Sequence, residues 1–157
     1  MSVSLHDIVK FNTWANNKVV ESLRSCSEIP HDALIRLSHI LENIWYVYDI
    51  IHERDLAKWD DDRNYTLDEC IAEIPKIEAA FTELLRHLTE EQLTRQVKFR
   101  NVAGDMVERK VSDLIFHTYD HCTYHRGQIA MIVRQAGGEP AKTWFNRWIT
   151  ETDHGEK

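Results

Sequence analysis

DALIRLSHILENIWYVYDIIHERDL, residues 32–56, places Leu34, Leu37, Leu41, Ile44, Tyr48 and Ile51 at alternating steps of three and four. With 3.6 residues per turn, that spacing lays one apolar seam along a helix, the pattern of a helix packed in a bundle. It predicts a helix from Asp32 to about Leu56. His39 is the residue out of pattern. It stands in the apolar LSHIL, roughly opposite the seam by wheel count, and shares a second apolar face with Ile35, Tyr46 and Ile50. A solvated histidine is not expected there, so this helix must be buried on two sides if His39 is to meet a neighbour.

The flanking sequence has the same helical period. Leu5, Ile8, Val9, Trp14, Ala15, Val19 and Leu23 form the stripe of a first helix over about residues 4–25, closed by SEIP and His31. After the polar KWDDDRNYT, Thr66 followed by Glu69 is a capping box that opens a third helix. That helix runs to about residue 88, and Pro75 within it is expected to bend it. Residues 95–111 instead flank an Ala-Gly-Asp turn with Val97, Phe99, Met106 and Val111, which suggests a short hairpin or extended loop. Ser112 is the expected N-cap of a fourth long helix ending at Gly137-Gly138 before Pro140, and TWFNRWIT makes a short terminal helix. The expectation is an all-α, four-helix bundle with a hairpin or loop before the last long helix and a short C-terminal helix. At 157 residues and 43% apolar, with five glycines and three prolines, it reads as a single domain over 1–157.

Charge and cysteine usage narrow the function. Nineteen Lys+Arg against 26 Asp+Glu, a formal net charge of -7 with no long basic run, argues against nucleic acid as the main partner. His6, Asp7, Lys10 and Asn12 interrupt the apolar positions of the amino terminus, so neither a signal peptide nor a membrane span is expected. Cys26, Cys70 and Cys122 are odd in number and widely spaced, which suits reduced thiols in a cytoplasmic protein.

HTYDHCTYHRGQ, residues 117–128, spaces His117, His121 and His125 four apart on the fourth helix. Imidazoles four apart can converge on one ion, but His117 and His125 are roughly 12 Å apart along the axis, too far to share one. Val111, Leu114, Ile115, Cys122, Ile129, Ile132 and Val133 define the buried side of this helix. From its centre His125 lies roughly 30° away, His121 roughly 70° and His117 roughly 110°. His121 and His125 therefore face inward. His117 falls at the rim, where a cleft, another subunit or solvent would meet it. Most metal sites take at least three protein ligands, and His39 is the best third candidate.

Neighbouring residues have blander readings. Tyr124, Arg126 and Gln128 adjoin the ligands in sequence. Arg126 and Gln128 could orient a substrate carboxylate or a water beside the metal, although surface, packing or dimer contacts are the weightier reading. Cys122 reads as a small core residue before a ligand. Asp120 and Glu42 could accept a ring proton from a ligand but read more simply as solvated helix charges. Trp45, Tyr46 and Tyr48 read as core before pocket wall, and His52 and His87 have no partner spacing.

The long helix reading DHCTYHRGQI, the preceding LIFH, the histidine within LSHIL and WANNKVV in the first helix together resemble the DinB (DinB/YfiT-like, damage-inducible) family over nearly the whole chain. The resemblance implies a four-helix bundle holding one divalent metal by three histidines, which here are His39, His121 and His125. It also implies a homodimer and, in some members, metal-dependent chemistry on low-molecular-weight thiols. The segment after the last long helix, Glu139 to Thr143, departs from the usual family pattern by lacking the aspartate often found nearby.

Three neutral imidazoles leave a divalent ion with its full charge and an open position, so a bound thiol or water could become a nucleophile near neutral pH. Zinc and nickel suit imidazole, as would ferrous iron. The expected activity is metal-dependent thiol S-transfer on a small molecule. A metal-binding stress or ligand-sequestering module without turnover is the alternative, and hydrolysis of a small substrate a second one. Di-iron bundles need Glu-x-x-His on two helices, and the one match, Glu28 to His31, lies in a turn. No His-Glu-x-x-His, Gly-rich phosphate loop or Gly-x-Ser-x-Gly elbow occurs.

Overall fold

The computed structural model describes residues 3–56 and 63–153. Four long helices are present, α1 (Leu5–Arg24), α2 (His31–Ile51), α3 (Leu67–His87) and α5 (Val111–Gln135). Between α3 and α5 lie the short α4 (Glu90–Thr94) and the antiparallel strands β1 (Gln96–Arg100) and β2 (Met106–Lys110); α6 (Phe145–Asp153) follows α5. α2 packs on α5 and α3, and α1 packs on the same two, so α1 and α2 are set across the bundle from each other. An all-α bundle with one small hairpin results, as the helical periods predict.

The ends follow from local chemistry. Ser4 with Asp7, Thr66 with Glu69 and Thr89 with Gln92 each form a reciprocal capping box that opens α1, α3 and α4. α3 continues through Pro75 without a break. α2 stops at Ile51 rather than Leu56, where His52 leaves helical geometry and Glu53 takes a φ of 54°. Of the polar stretch after it, residues 58–62 lie outside the described residues.

α5 begins one residue before Ser112, which is not its N-cap. Lys110 holds that position with no side-chain cap, because β2 runs straight into the helix and Arg95 O accepts the Val111 N–H at 3.1 Å. The hairpin thus satisfies one of the first-turn donors that have no partner within the helix. In the hairpin loop Gly104 has a φ of 90°, and Asp105 N–H donates to Asn101 Oδ1 at 2.8 Å.

The core contains Phe11, Val19 and Leu23 from α1, Leu37, Ile40, Leu41 and Val47 from α2, Ile74 and Phe81 from α3, and Ile115, Ile129 and Val133 from α5, all buried. α2 also buries Ser38, Tyr46 and Ile50. Burial around more than one side of α2 is what allows the face bearing His39 to meet α5. No helix among the described residues is long and apolar enough to cross a membrane.

Candidate metal centre

α2 and α5 run antiparallel and are joined by two polar side-chain contacts at neighbouring levels. Arg36 NH1 donates to Gln128 Oε1 at 2.9 Å, while Nε2 of His39 lies 3.1 Å from Nε2 of His121. Nε2 of His125 lies 3.1 Å from the same His121 atom. His39, His121 and His125 thus bring three ring nitrogens within 4.8 Å of one another, a group that could hold a metal ion. Imidazole nitrogens about 2.0–2.1 Å from a shared tetrahedral ion stand about 3.3 Å apart, close to the two 3.1 Å separations from His121.

The donors are prepared for a cation. Gln128 Oε1, already an acceptor from Arg36, also accepts the His125 Nδ1–H at 2.8 Å, which leaves the His125 Nε2 lone pair facing the group. A hydrogen on His121 Nε2 serves one of its two ring contacts well; a cation at the centre satisfies all three lone pairs. Burial, followed by repulsion from His125, His39 and His117, pushes the His121 imidazolium down to about 3. Burial is also the main cause that lowers His125. Both rings are therefore neutral donors at neutral pH. His121 Nδ1 is buried without a hydrogen-bond partner.

The group opens to solvent through a cavity of about 310 Å³ lined by His39 and His125 together with Arg36, Arg63, Asn64 and Asp32. Arg63 lies over the Tyr65 ring, 4.7 Å from its centroid, with Nε 3.8 Å from Glu42 Oε1. Glu42 is buried and accepts the Tyr65 hydroxyl. It is not the solvated charge expected for it, because Tyr65 folds back over α2, its N–H donating to Ser38 Oγ at 2.9 Å. Asp120 is exposed, as expected.

The remaining residues of the histidine-rich stretch separate by role. Arg126 is buried; NH1 donates to Asn12 Oδ1 at 2.8 Å and Asn16 Oδ1 at 3.2 Å, and its guanidinium lies over Phe11. Arg126 is thus a packing residue that ties α5 to Asn12 and Asn16 of α1. Gln128 orients His125, a role that neither of its sequence readings named. Cys122 is a core thiol raised to about 11 by burial. Tyr124 is exposed. His117 lies outside the group, exposed, with its ring centroid 5.6 Å from that of His121. It lines a separate, larger cleft with Tyr46 and Phe99. His52 and His87 bond locally, to Tyr48 O and Glu83.

The profile of the DinB family matches residues 1–154. A curated relative, Protein DinB of Bacillus subtilis (strain 168), is 26% identical over 170 aligned positions, covering 97% of each chain. The crystal structure of a DinB-like protein from Bacillus cereus ATCC 10987 superposes with a TM-score of 0.65 at 21% identity, over 86% of this chain and 92% of that one. At that identity the likeness speaks for the fold.

Proposed function

This chain belongs to the DinB family, and on that premise we propose that His39, His121 and His125 hold one divalent metal ion in a catalytic site. The ion would be zinc or nickel, or else iron, and the reaction the transfer of a low-molecular-weight thiol to an electrophile. The observation that carries this reading is three convergent ring nitrogens with an open mouth. Among the described residues no fourth His, Cys, Asp or Glu joins the group. A closed sphere would suit storage, whereas an open position beside a cavity suits turnover. When bound, the ion supplies Lewis acidity that brings a thiol or water toward ionisation at neutral pH.

The chain's own residues would do the rest. Gln128 fixes which His125 nitrogen faces the centre, and burial keeps His121 unprotonated. Arg36 and Arg63 put two guanidinium groups at the mouth, where a thiolate or a substrate carboxylate would be drawn in. Asp32 lines the same mouth and Glu42 lies 3.8 Å from Arg63, so the guanidinium groups would act as directed donors rather than as a net positive field. Small-substrate hydrolysis uses the same geometry, and a panel of substrates separates the two.

Protein purified without an affinity tag should carry about one divalent ion per chain by elemental analysis. His121→Ala should lose it and His117→Ala should keep it. Full metal content in a His121→Ala, His125→Ala double variant would sink the assignment. Turnover of thiols with electrophiles should depend on added metal; binding without turnover across the panel would leave a non-catalytic metal module.

A further inference from the structure

We infer that the cleft between α2, the β1–β2 hairpin and the start of α5 is a second ligand pocket, taking a compact neutral organic group that donates one N–H or O–H to Asn43 Oδ1. The inference deepens the proposed transfer reaction by seating its electrophile, and rests on that reading for this role alone. The cleft encloses about 630 Å³, within the range of about 300–1,000 Å³ common for small-molecule sites. Its walls are mainly Tyr46, Val47 and Ile50 of α2, Phe99 of β1 and Leu114 of α5. The hairpin wall is fastened in place: the Tyr46 hydroxyl donates to Arg100 O at 3.2 Å, and the Tyr46 and Phe99 rings meet edge to face.

Asn43 supplies the polar element. Asn43 lines this cleft, and its Oδ1 is buried with no hydrogen-bond partner. A buried acceptor left unpaired is costly, and a ligand N–H or O–H would relieve it. The charged lining residues, Arg109 and Asp113, are both exposed and of opposite sign, so the lining selects no net charge on the ligand.

Position relates this cleft to the histidines. Asn43 is four residues after His39, and His117, also in the lining, is four before His121. On antiparallel helices both lie on the same side of the group, about one turn or 5.4 Å away, while the arginine mouth lies toward Arg36 and Gln128. The histidine group therefore has an arginine-bearing opening toward one end of the helices and a mainly apolar cleft toward the other. A transfer reaction needs two such subsites, one for the thiol and one for its acceptor.

The test is a titration of the zinc-loaded, uniformly 15N-labelled full chain, followed by amide chemical shifts, with benzamide and with N,N-dimethylbenzamide. These probes have similar apolar bodies, but the second lacks the N–H donor. Shifts should centre on Asn43, Val47, Phe99 and Leu114, and benzamide should bind about fivefold more tightly, the yield of one neutral hydrogen bond. Asn43→Leu should abolish that preference, and Leu114→Trp, which fills the cleft, should weaken both probes. Equal affinities in the unmodified protein, a preference surviving Asn43→Leu, or shifts confined to the Arg36 and His125 mouth would each overturn the inference. The unmodified comparison stands even if Leu114→Trp fails to fold. A metal-free titration separates the two readings. Cleft binding by a chain that takes up no metal would remove the proposed function and leave the pocket, whereas normal zinc uptake without cleft binding would remove the pocket alone.

Discussion

Gln128 links two side chains across α2 and α5, accepting from Arg36 and from His125 through one oxygen. A metal-bound histidine held at its second nitrogen keeps its ring angle, and losing such a partner commonly costs about 10–100-fold in affinity. Gln128→Leu should weaken metal binding by about that factor in chelator competition, with Gln128→Glu retaining most of it; unchanged affinity in the leucine variant would mean that packing alone holds His125. Protonation is also decided at single residues. Folded His121 is held near 3 against an ordinary 6.5, so as pH falls the unfolded chain takes up this proton first. Stability of the metal-free protein should therefore be full, for this group, above about pH 6.5 and decline as pH drops toward 3. Denaturant unfolding of metal-free protein at pH 7.5 and 5 should show that loss, and His121→Gln should reduce it. At this scale the sequence was informative about identity more than role. His121 and His125 could be read from helical phase, but Arg126 and Gln128 could not be told apart, because whether a polar side chain meets a ligand or a distant helix depends on contacts far along the chain.

The elements show which local signals suffice. Capping boxes and apolar periods act within a few residues, so α1 and the start of α3 are legible in the sequence, and Thr89 with Gln92 opens α4, absent from the sequence expectation, by the same pattern. Ser112 misleads because the chain is already helical at Val111, whose N–H is held by Arg95 O, sixteen residues before it in sequence. The end of α5 depends on close approach. A Cβ on Gly138 would lie 2.5 Å from Cys26 Sγ and 2.9 Å from Val133 Cγ1. Gly138 lets the chain lie against α1, where Ser22 Oγ donates to Glu139 O at 2.6 Å and Glu139 N–H donates to Ser25 Oγ at 2.9 Å. Gly138→Ala should cost about 1–3 kcal/mol through overpacking, measurable as a lower denaturant midpoint. Gly137→Ala is strained for a different reason, its φ of 78°. An unchanged midpoint in Gly138→Ala would mean that the Cys26 and Val133 side chains both give way freely.

At the scale of the whole molecule, the three histidines join α2 to α5 across 82 residues of chain. An ion bound there is bound by the folded state, so it should raise stability by about 2.7 kcal/mol at a free concentration a hundred times its dissociation constant. For a chain of this size that corresponds to a melting temperature higher by about 5–10 °C. Calorimetry of the metal-loaded and chelator-stripped forms reads this directly; identical melting temperatures would place any bound ion outside the native site. What the amino-acid sequence determined by itself was the set of helices, their buried stripes, and the inward phase of His121 and His125, because each follows from a 3.6-residue period and from capping within one turn. Only the tertiary structure decided that His39 reaches them from a face opposite its own seam, that Arg126 serves α1 while Gln128 serves His125, and that His117 borders another cleft. Those outcomes depend on how α2 is buried between α3 and α5, and the phase of one helix does not specify the position of its neighbours.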